Sequence, residues 1–266
     1  MRPRMLAGVS AVFIAFLALV ASGDAQGGGA GGTPVKFQGA ARELGGVLFL
    51  PEGPGPFPAV IDINGINGQS EWDFEIGRRL SAQGYVVLAV DLFGRRPRSY
   101  ADGLHLRDQV RPQGGEDLAG ALSYLQSRKD VIPDRIGAVG WCMGGTYALL
   151  FAVADPRLAA SVVYSGPVTP PPGPDPAALK NIRAPILAHF GLEDDSIALA
   201  GVKMWANNMR DAGRPLDLHW YPAGHGFAEV HDMPASHGEH LQQDHAAVSW
   251  ERTFAFLEAR LKKGKS

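Results

Sequence analysis

The chain has 266 residues with 25 basic and 27 acidic side chains, a balance that gives no electrostatic case for a nucleic-acid partner. Hydrophobic residues make up 45% and charged residues 20%, which excludes wholesale disorder, and the length suffices for one domain with a sizeable core. One cysteine, Cys142, excludes an internal disulfide.

At the N-terminus Arg2 and Arg4 precede the uncharged apolar run from Leu6 to Ala21, and small residues follow at Ser22, Gly23 and Ala25. This order reads as a signal peptide over residues 1–23, with cleavage after Gly23 or Ala25. The alternative, an uncleaved anchor, has to work with fewer than the roughly 20 apolar residues of a usual span. Cleavage after Gly23 removes two arginines and no acid, leaving 23 basic against 27 acidic side chains, a net charge of −4. Residues 24–34 are Gly-rich and are expected to form a flexible leader, and residues 35–266 a single domain. The expected address is periplasmic or secreted, with no stable membrane association after cleavage. In an oxidising compartment an unpaired thiol is a liability unless it has a use, which favours a reactive role for Cys142.

The elements follow in order. Gly45 to Leu50 reads as a strand closed by a Gly/Pro turn, and Pro58 to Ile63 as a buried strand ending in the glycine-bearing loop Asn64 to Gly68. Glu75 to Gln83 is expected to be helical with Gly84 at its C-terminal cap, and Tyr85 to Val90 to be the next strand. Residues 96–114 are polar and read as an irregular surface excursion over the site. Glu116 to Arg128 is helical, with Leu118, Ala121, Leu122 and Leu125 on one face. A strand from Arg135 to Val139 leads into Gly140-Trp141-Cys142-Met143-Gly144-Gly145, and a buried helix runs from Thr146 to Ala154. Leu158 to Tyr164 is a strand, Pro167 to Pro176 a loop too proline-dense for helix or inner strand, and Ala184 to Phe190 a strand breaking at Gly191. Ala198 to Ala212 reads as helix, Leu216 to Tyr221 as the last strand, and a closing helix from about Asp244 carries Trp250, Phe254, Leu257 and Leu261 on one face. Alternating strands and helices imply an α/β fold: a mostly parallel, eight-stranded sheet covered by helices on both faces.

Strand, sharp Gly-x-Cys-x-Gly turn and helix make a nucleophile elbow, which presents its middle residue at a helix N-terminus where amide N–H groups favour an anion. Acyl transfer by such a nucleophile needs a base, an acid to orient the base, and N–H donors for the oxyanion. Two later strands end in candidates: Gly191-Leu192-Glu193-Asp194-Asp195, and Gly224-His225-Gly226-Phe227. Both lie beyond strand C-termini, the edge where such sheets bind ligands. Asp194 is preferred over Asp195 because it stands three residues after the strand-ending glycine. His189, inside an apolar strand, reads as a core histidine. His231, His237, His240 and His245 lack cysteine partners or an H-x-x-x-H pair, so no metal and no cofactor are expected.

The chain resembles the dienelactone hydrolase family of the α/β-hydrolase fold. The resemblance rests on Gly140 to Gly145, Gly191 to Asp194, Gly224 to Phe227, and the segments Gln83-Gly84-Tyr85 and Asp91-Leu92-Phe93-Gly94-Arg95, and spans residues 46–260. It implies Cys142, Asp194 and His225 as the catalytic triad and the backbone N–H groups of Ile66 and Met143 as the oxyanion hole. It also implies Arg95, Trp141 and Phe227 as substrate-binding residues. The expected activity is hydrolysis of a small-molecule ester or lactone by a monomer, through an acyl-thioester on Cys142. A free thiol ionises near pH 8.5 and only its thiolate attacks well, so the helix N-terminus and His225 would have to favour that form.

Two positions depart from the family pattern. The glutamate that usually holds the thiol in check falls on Gly65, with Glu71 or Asp73 as substitutes that could reach in from elsewhere. Of the two arginines that usually hold a substrate carboxylate, Arg95 matches one and Glu229 stands at the other. A neutral or differently charged ester, a catalytically weak binding or scaffold protein of the same fold, and a cysteine peptidase all stay open at this point.

Overall fold

A computed structural model describes residues 31–111, 113–228 and 243–263. The signal and most of the leader, Glu229, His231, His237 and His240 lie outside the described residues. Eight strands form one sheet in the order β1-β2-β4-β3-β5-β6-β7-β8. In sequence these are β1 (Thr33–Gln38), β2 (Glu43–Phe49), β3 (Phe57–Ile63), β4 (Val86–Asp91), β5 (Val131–Trp141), β6 (Ala160–Tyr164), β7 (Ile186–Gly191) and β8 (Leu216–Tyr221). From β4 to β8 every pairing is parallel, while β1 and β2 pair antiparallel at one edge. The parallel strands are nearly continuous runs of buried branched residues, because helices cover both of their faces.

The helices are α1 (Glu71–Ala82), α2 (Tyr100–Val110), α3 (Gly114–Gln126), α4 (Met143–Ala154), α5 (Leu199–Asp211) and α6 (Gln243–Leu257). On one side Ile61, Ile63, Leu88 and Ala138 pack with Leu118, Leu122, Ala148, Leu149, Val202 and Trp205 from α3, α4 and α5. On the other, Val60, Val87, Val139 and Trp141 pack with Trp72, Ile76 and Leu80 of α1 and Trp250 and Leu257 of α6. Helix α1 starts four residues earlier than its apolar spacing suggested, at a capping box in which Ser70 and Asp73 satisfy each other's backbone and side chain.

Three segments differ from the sequence reading. β1 occupies Thr33–Gln38, so the leader expected over 24–34 overlaps the first edge strand; Pro34 and a single buried residue, Phe37, had hidden it. A 3₁₀ turn, Pro176–Asn181, follows the proline-dense loop, started by the Asp175 side chain accepting from Ala177 N. The most consequential is α2, which replaces the irregular excursion expected over 96–114. Ser99 caps it by accepting from Asp102 N at 3.2 Å. Its sequence shows no single apolar stripe because Gly103, Leu106 and Val110 face the core while other positions face a cavity.

The chain leaves β4 for α2 through a turn that is itself clasped. Arg42, between β1 and β2, donates to Leu92 O at 2.8 Å and to Asp117 Oδ2 of α3 at 2.7 and 3.1 Å, and Ala40 N donates to the same carboxylate at 3.1 Å. Asp117 is fully buried, so removing its carboxylate strands the donors around it. Asp117→Ala should lower unfolding free energy by about 2 kcal/mol in urea titration. A loss below roughly 0.5 kcal/mol, the size of an ordinary surface change, would show that the clasp does not hold this corner.

Candidate active site

The elbow starts from the backbone. Cys142 sits at φ 50° and ψ −113°, between the end of β5 and the first turn of α4. A residue with a Cβ is held there only by its surroundings. Cys142 N donates to Tyr164 O at 2.9 Å on the neighbouring strand, and Cys142 O accepts from Thr146 N at 3.3 Å. The turn closes so tightly that a Cβ on Gly140 would come within 2.1 Å of Gly144 O, and one on Gly144 within 2.0 Å of Ile63 O. Only glycine fits at either position.

β7 and β8 supply the partners from their C-terminal ends. His225 Nδ1 lies 2.9 Å from Asp194 Oδ2, and both side chains are almost wholly buried. The other oxygen, Asp194 Oδ1, accepts from Ser196 N at 2.9 Å and Ile197 N at 2.8 Å, which orients the carboxylate. Gly226, at φ 66°, lets the chain turn so that the imidazole points inward. The Cys142 thiol interacts with the same ring, and both side chains border one cavity. Burial would depress the imidazole's pKa, but the bonds to Asp194 and Cys142 outweigh it and raise it well above the ordinary 6.5. The structure thus brings Cys142, His225 and Asp194 together at one site. Asp195 is exposed and accepts from the Ser196 hydroxyl at 3.3 Å.

Cys142 and His225 open into a cavity of about 170 Å³. Ile66 and Met143 border it beside the thiol. Met143 is the first residue of α4, so its amide N–H has no acceptor within the helix. Other walls come from α2 (Tyr100, Leu104, Arg107), its C-cap Arg111, and α4 (Thr146, Tyr147, Leu150). Gly103 seats α2 on the loop after β3: a Cβ there would stand 2.5 Å from Ile66 O.

A family model for the dienelactone hydrolase family matches residues 44–261. The chain belongs to that family. A Synechocystis protein provisionally named carboxymethylenebutenolidase is 27% identical over 236 residues, 83% of this chain and 93% of that protein. The carboxymethylenebutenolidase of Rhodococcus opacus is 26% identical over 221 residues, 78% of this chain and 83% of that one. A crystal structure from Klebsiella pneumoniae, provisionally titled a dienelactone hydrolase, superposes with TM-score 0.73 at 25% identity, covering 85% of this chain and 98% of its own. The α/β-hydrolase fold is shared with these dienelactone hydrolases.

Within this family site, several expected residues stand elsewhere. Trp141 is buried beneath the elbow, stacked on Tyr164 at 4.0 Å between ring centroids and donating from Nε1 to Asp62 Oδ1 at 3.2 Å. Phe227 packs at 4.7 Å on Tyr221 in the core. Neither is among the residues that line the cavity, and both pack in the core under the site. Arg95 is likewise outside it, bound in a fork to Asp102 at 2.6 and 2.7 Å, which ties the first turn of α2 in place. Gly65 does face the nucleophile: a Cβ there would stand 3.9 Å from Cys142 Cβ. Glu71 pairs with Arg78 and Asp73 caps α1, so neither supplies the carboxylate that Gly65 lacks. Among the described residues no three His, Cys, Asp or Glu side chains gather as a metal site. His189 is buried against Tyr221 Oη at 2.8 Å and Thr253 Oγ1 at 3.1 Å, and burial lowers its pKa well below 6.5. Arg107 and Arg111 were missed because α2 was not recognised; their spacing of four within a helix would have pointed to one shared face.

Asp194→Asn removes the leading attraction that raises the His225 pKa and leaves the opposing burial in place. The ring should therefore lose its proton at lower pH than in the wild type. Imidazole NMR should show the variant ring titrating at lower pH than the wild-type ring. Identical titrations would contradict the assigned cause.

Proposed function

We propose that this protein hydrolyses carboxylic esters or lactones through an acyl-thioester on Cys142. The observation that carries the reading is one cavity bordered by a strained Cys142 and by His225, with His225 oriented by buried Asp194. In the first half-reaction the thiol proton passes to His225 and Sγ attacks the substrate carbonyl. In this reading the backbone N–H groups of Ile66 and Met143, which both border the cavity, receive the resulting oxyanion. Collapse expels the alkoxide, which takes the proton from the imidazolium, and leaves the acyl group on sulfur. In the second half-reaction water gives a proton to His225 as it attacks the thioester. Collapse of that intermediate returns the proton to sulfur and releases the carboxylic acid. No cofactor takes part. Asp194 keeps the imidazole in the tautomer that both steps require.

The Rhodococcus relative is named a carboxymethylenebutenolidase, and lactones are included in the proposed range for that reason. With Gly65 opposite the thiol, His225 is the group left to control Cys142 between turnovers. Export after removal of residues 1–23 and a monomeric state complete the proposal. No helix among the described residues is long and apolar enough to cross a membrane.

Replacing the nucleophile tests this reading. Cys142→Ala should lower kcat/KM toward short 4-nitrophenyl esters by about a thousandfold or more, with the far-UV circular dichroism unchanged. Cys142→Ser should also lose most activity, because the site is built around a thiol–imidazole pair. Wild-type turnover by Cys142→Ala would refute the proposal.

A further inference from the structure

We infer that the cavity selects a neutral, apolar acyl group about the size of one six-membered ring and turns away a carboxylate-bearing one. The inference rests on the acyl-transfer reading above. The acyl group is the part of the substrate that stays on Sγ through both half-reactions, so the walls around Cys142 act on it throughout. Tyr100 and Leu104, four apart, lie on one face of α2, and Met143, Tyr147 and Leu150 lie on one face of α4. All five border the cavity. Its volume, about 170 Å³, is close to the roughly 150 Å³ of an apolar cavity that holds a benzene ring.

Polar groups on these walls are already engaged within the protein. Thr146 Oγ1 donates to Pro167 O at 2.8 Å, and Ser196 Oγ donates to Asp195 Oδ1 at 3.3 Å. Arg107 holds Asp108 Oδ1 from Nε at 3.0 Å and from Nη2 at 2.8 Å. Arg111 lies 3.5 Å from the same oxygen, and as the C-cap of α2 it meets the partial negative charge of the last carbonyls, with nearly half of its side chain in water. An incoming carboxylate would therefore give up its water for cations that already have partners. Tyr147 shows what an anion meets on this wall. Burial, with Asp108 and Asp117 adding to it, pushes its phenol up to about 12 against the pull of Arg111 and Arg107. The cost of burying negative charge here exceeds what the two arginines return.

The probes are 4-nitrophenyl acetate, hexanoate and decanoate, and mono-4-nitrophenyl adipate, which matches the hexanoate in length but ends in a carboxylate. Each methylene buried in the cavity raises kcat/KM by up to about fourfold, so the hexanoate should exceed the acetate by about thirtyfold or more. The decanoate, whose tail outruns the cavity, should stay within about threefold of the hexanoate, and the adipate should fall about tenfold or more below it. Leu104→Trp and, separately, Leu150→Trp fill the cavity and should each lower the hexanoate-to-acetate ratio by about fivefold or more. Because that ratio is internal, it is independent of how much protein is folded. An adipate that equals or exceeds the hexanoate, a hexanoate-to-acetate ratio near one, a decanoate that continues the rise, or tryptophan variants that keep the wild-type ratio overturn the inference while leaving ester hydrolysis intact. No turnover of any of the four esters by folded protein overturns the acyl-transfer reading and this inference with it.

Discussion

The backbone at Cys142 stands at φ 50° and ψ −113°, a conformation that a side-chain-bearing residue keeps only where its neighbours impose it. Three pieces of backbone impose it here. β6 takes the Cys142 N–H through Tyr164 O, α4 returns Thr146 N–H to Cys142 O, and Gly140 and Gly144 let strand, turn and helix close to van der Waals limits. Everything chemical depends on this constraint, because it lifts the thiol out of the sheet and aims it at His225. It also sets the sulfur at the N-terminus of α4, whose first amides have no acceptor within the helix and favour negative charge.

Around that point the fold assigns each layer a separate task. The parallel strands end together at one edge, so Ile66, Cys142, Asp194 and His225 arrive from four different strands without long loops. Beneath the elbow, Trp141, Tyr164 and His189 stack in a row, with ring centroids 4.0 and 4.4 Å apart, and Thr253 and Ser249 of α6 close the row through the Tyr164 hydroxyl. This gives the strained turn a rigid floor. Above it, α2 is tied by Arg95 and Asp102 and rests on the carbonyl of Ile66, so one helix joins the loop after β3 to the cavity wall.

What could be read from the sequence follows the same physics. Strands buried on both faces are runs of apolar residues, and β3, β4 and β7 were legible for that reason. The elbow was legible because a tight backbone crossing leaves glycine as the only choice. β1 was not, since an edge strand with one buried side chain carries little periodic signal. α2 was not either: its core face holds Gly103, Leu106 and Val110, its cavity face is half charged, and neither forms a continuous stripe. Neighbouring Asp194 and Asp195 are chemically identical; the count of three residues from Gly191 favours Asp194, and its carboxylate is the one that meets His225. The roles expected of Arg95, Trp141 and Phe227 followed the family pattern; here Asp102 occupies the first, and the core encloses the other two.

The central claim is that the acyl group passes through sulfur at this strained turn. The direct measurement is rapid chemical quench of the protein with an excess of a 4-nitrophenyl ester, followed by intact mass and peptide mapping. The account predicts a burst of about one equivalent of 4-nitrophenol per protein and a matching acyl mass on the peptide that contains Cys142. Turnover with the acyl mass on another residue, or a burst with Cys142 unmodified, would contradict it.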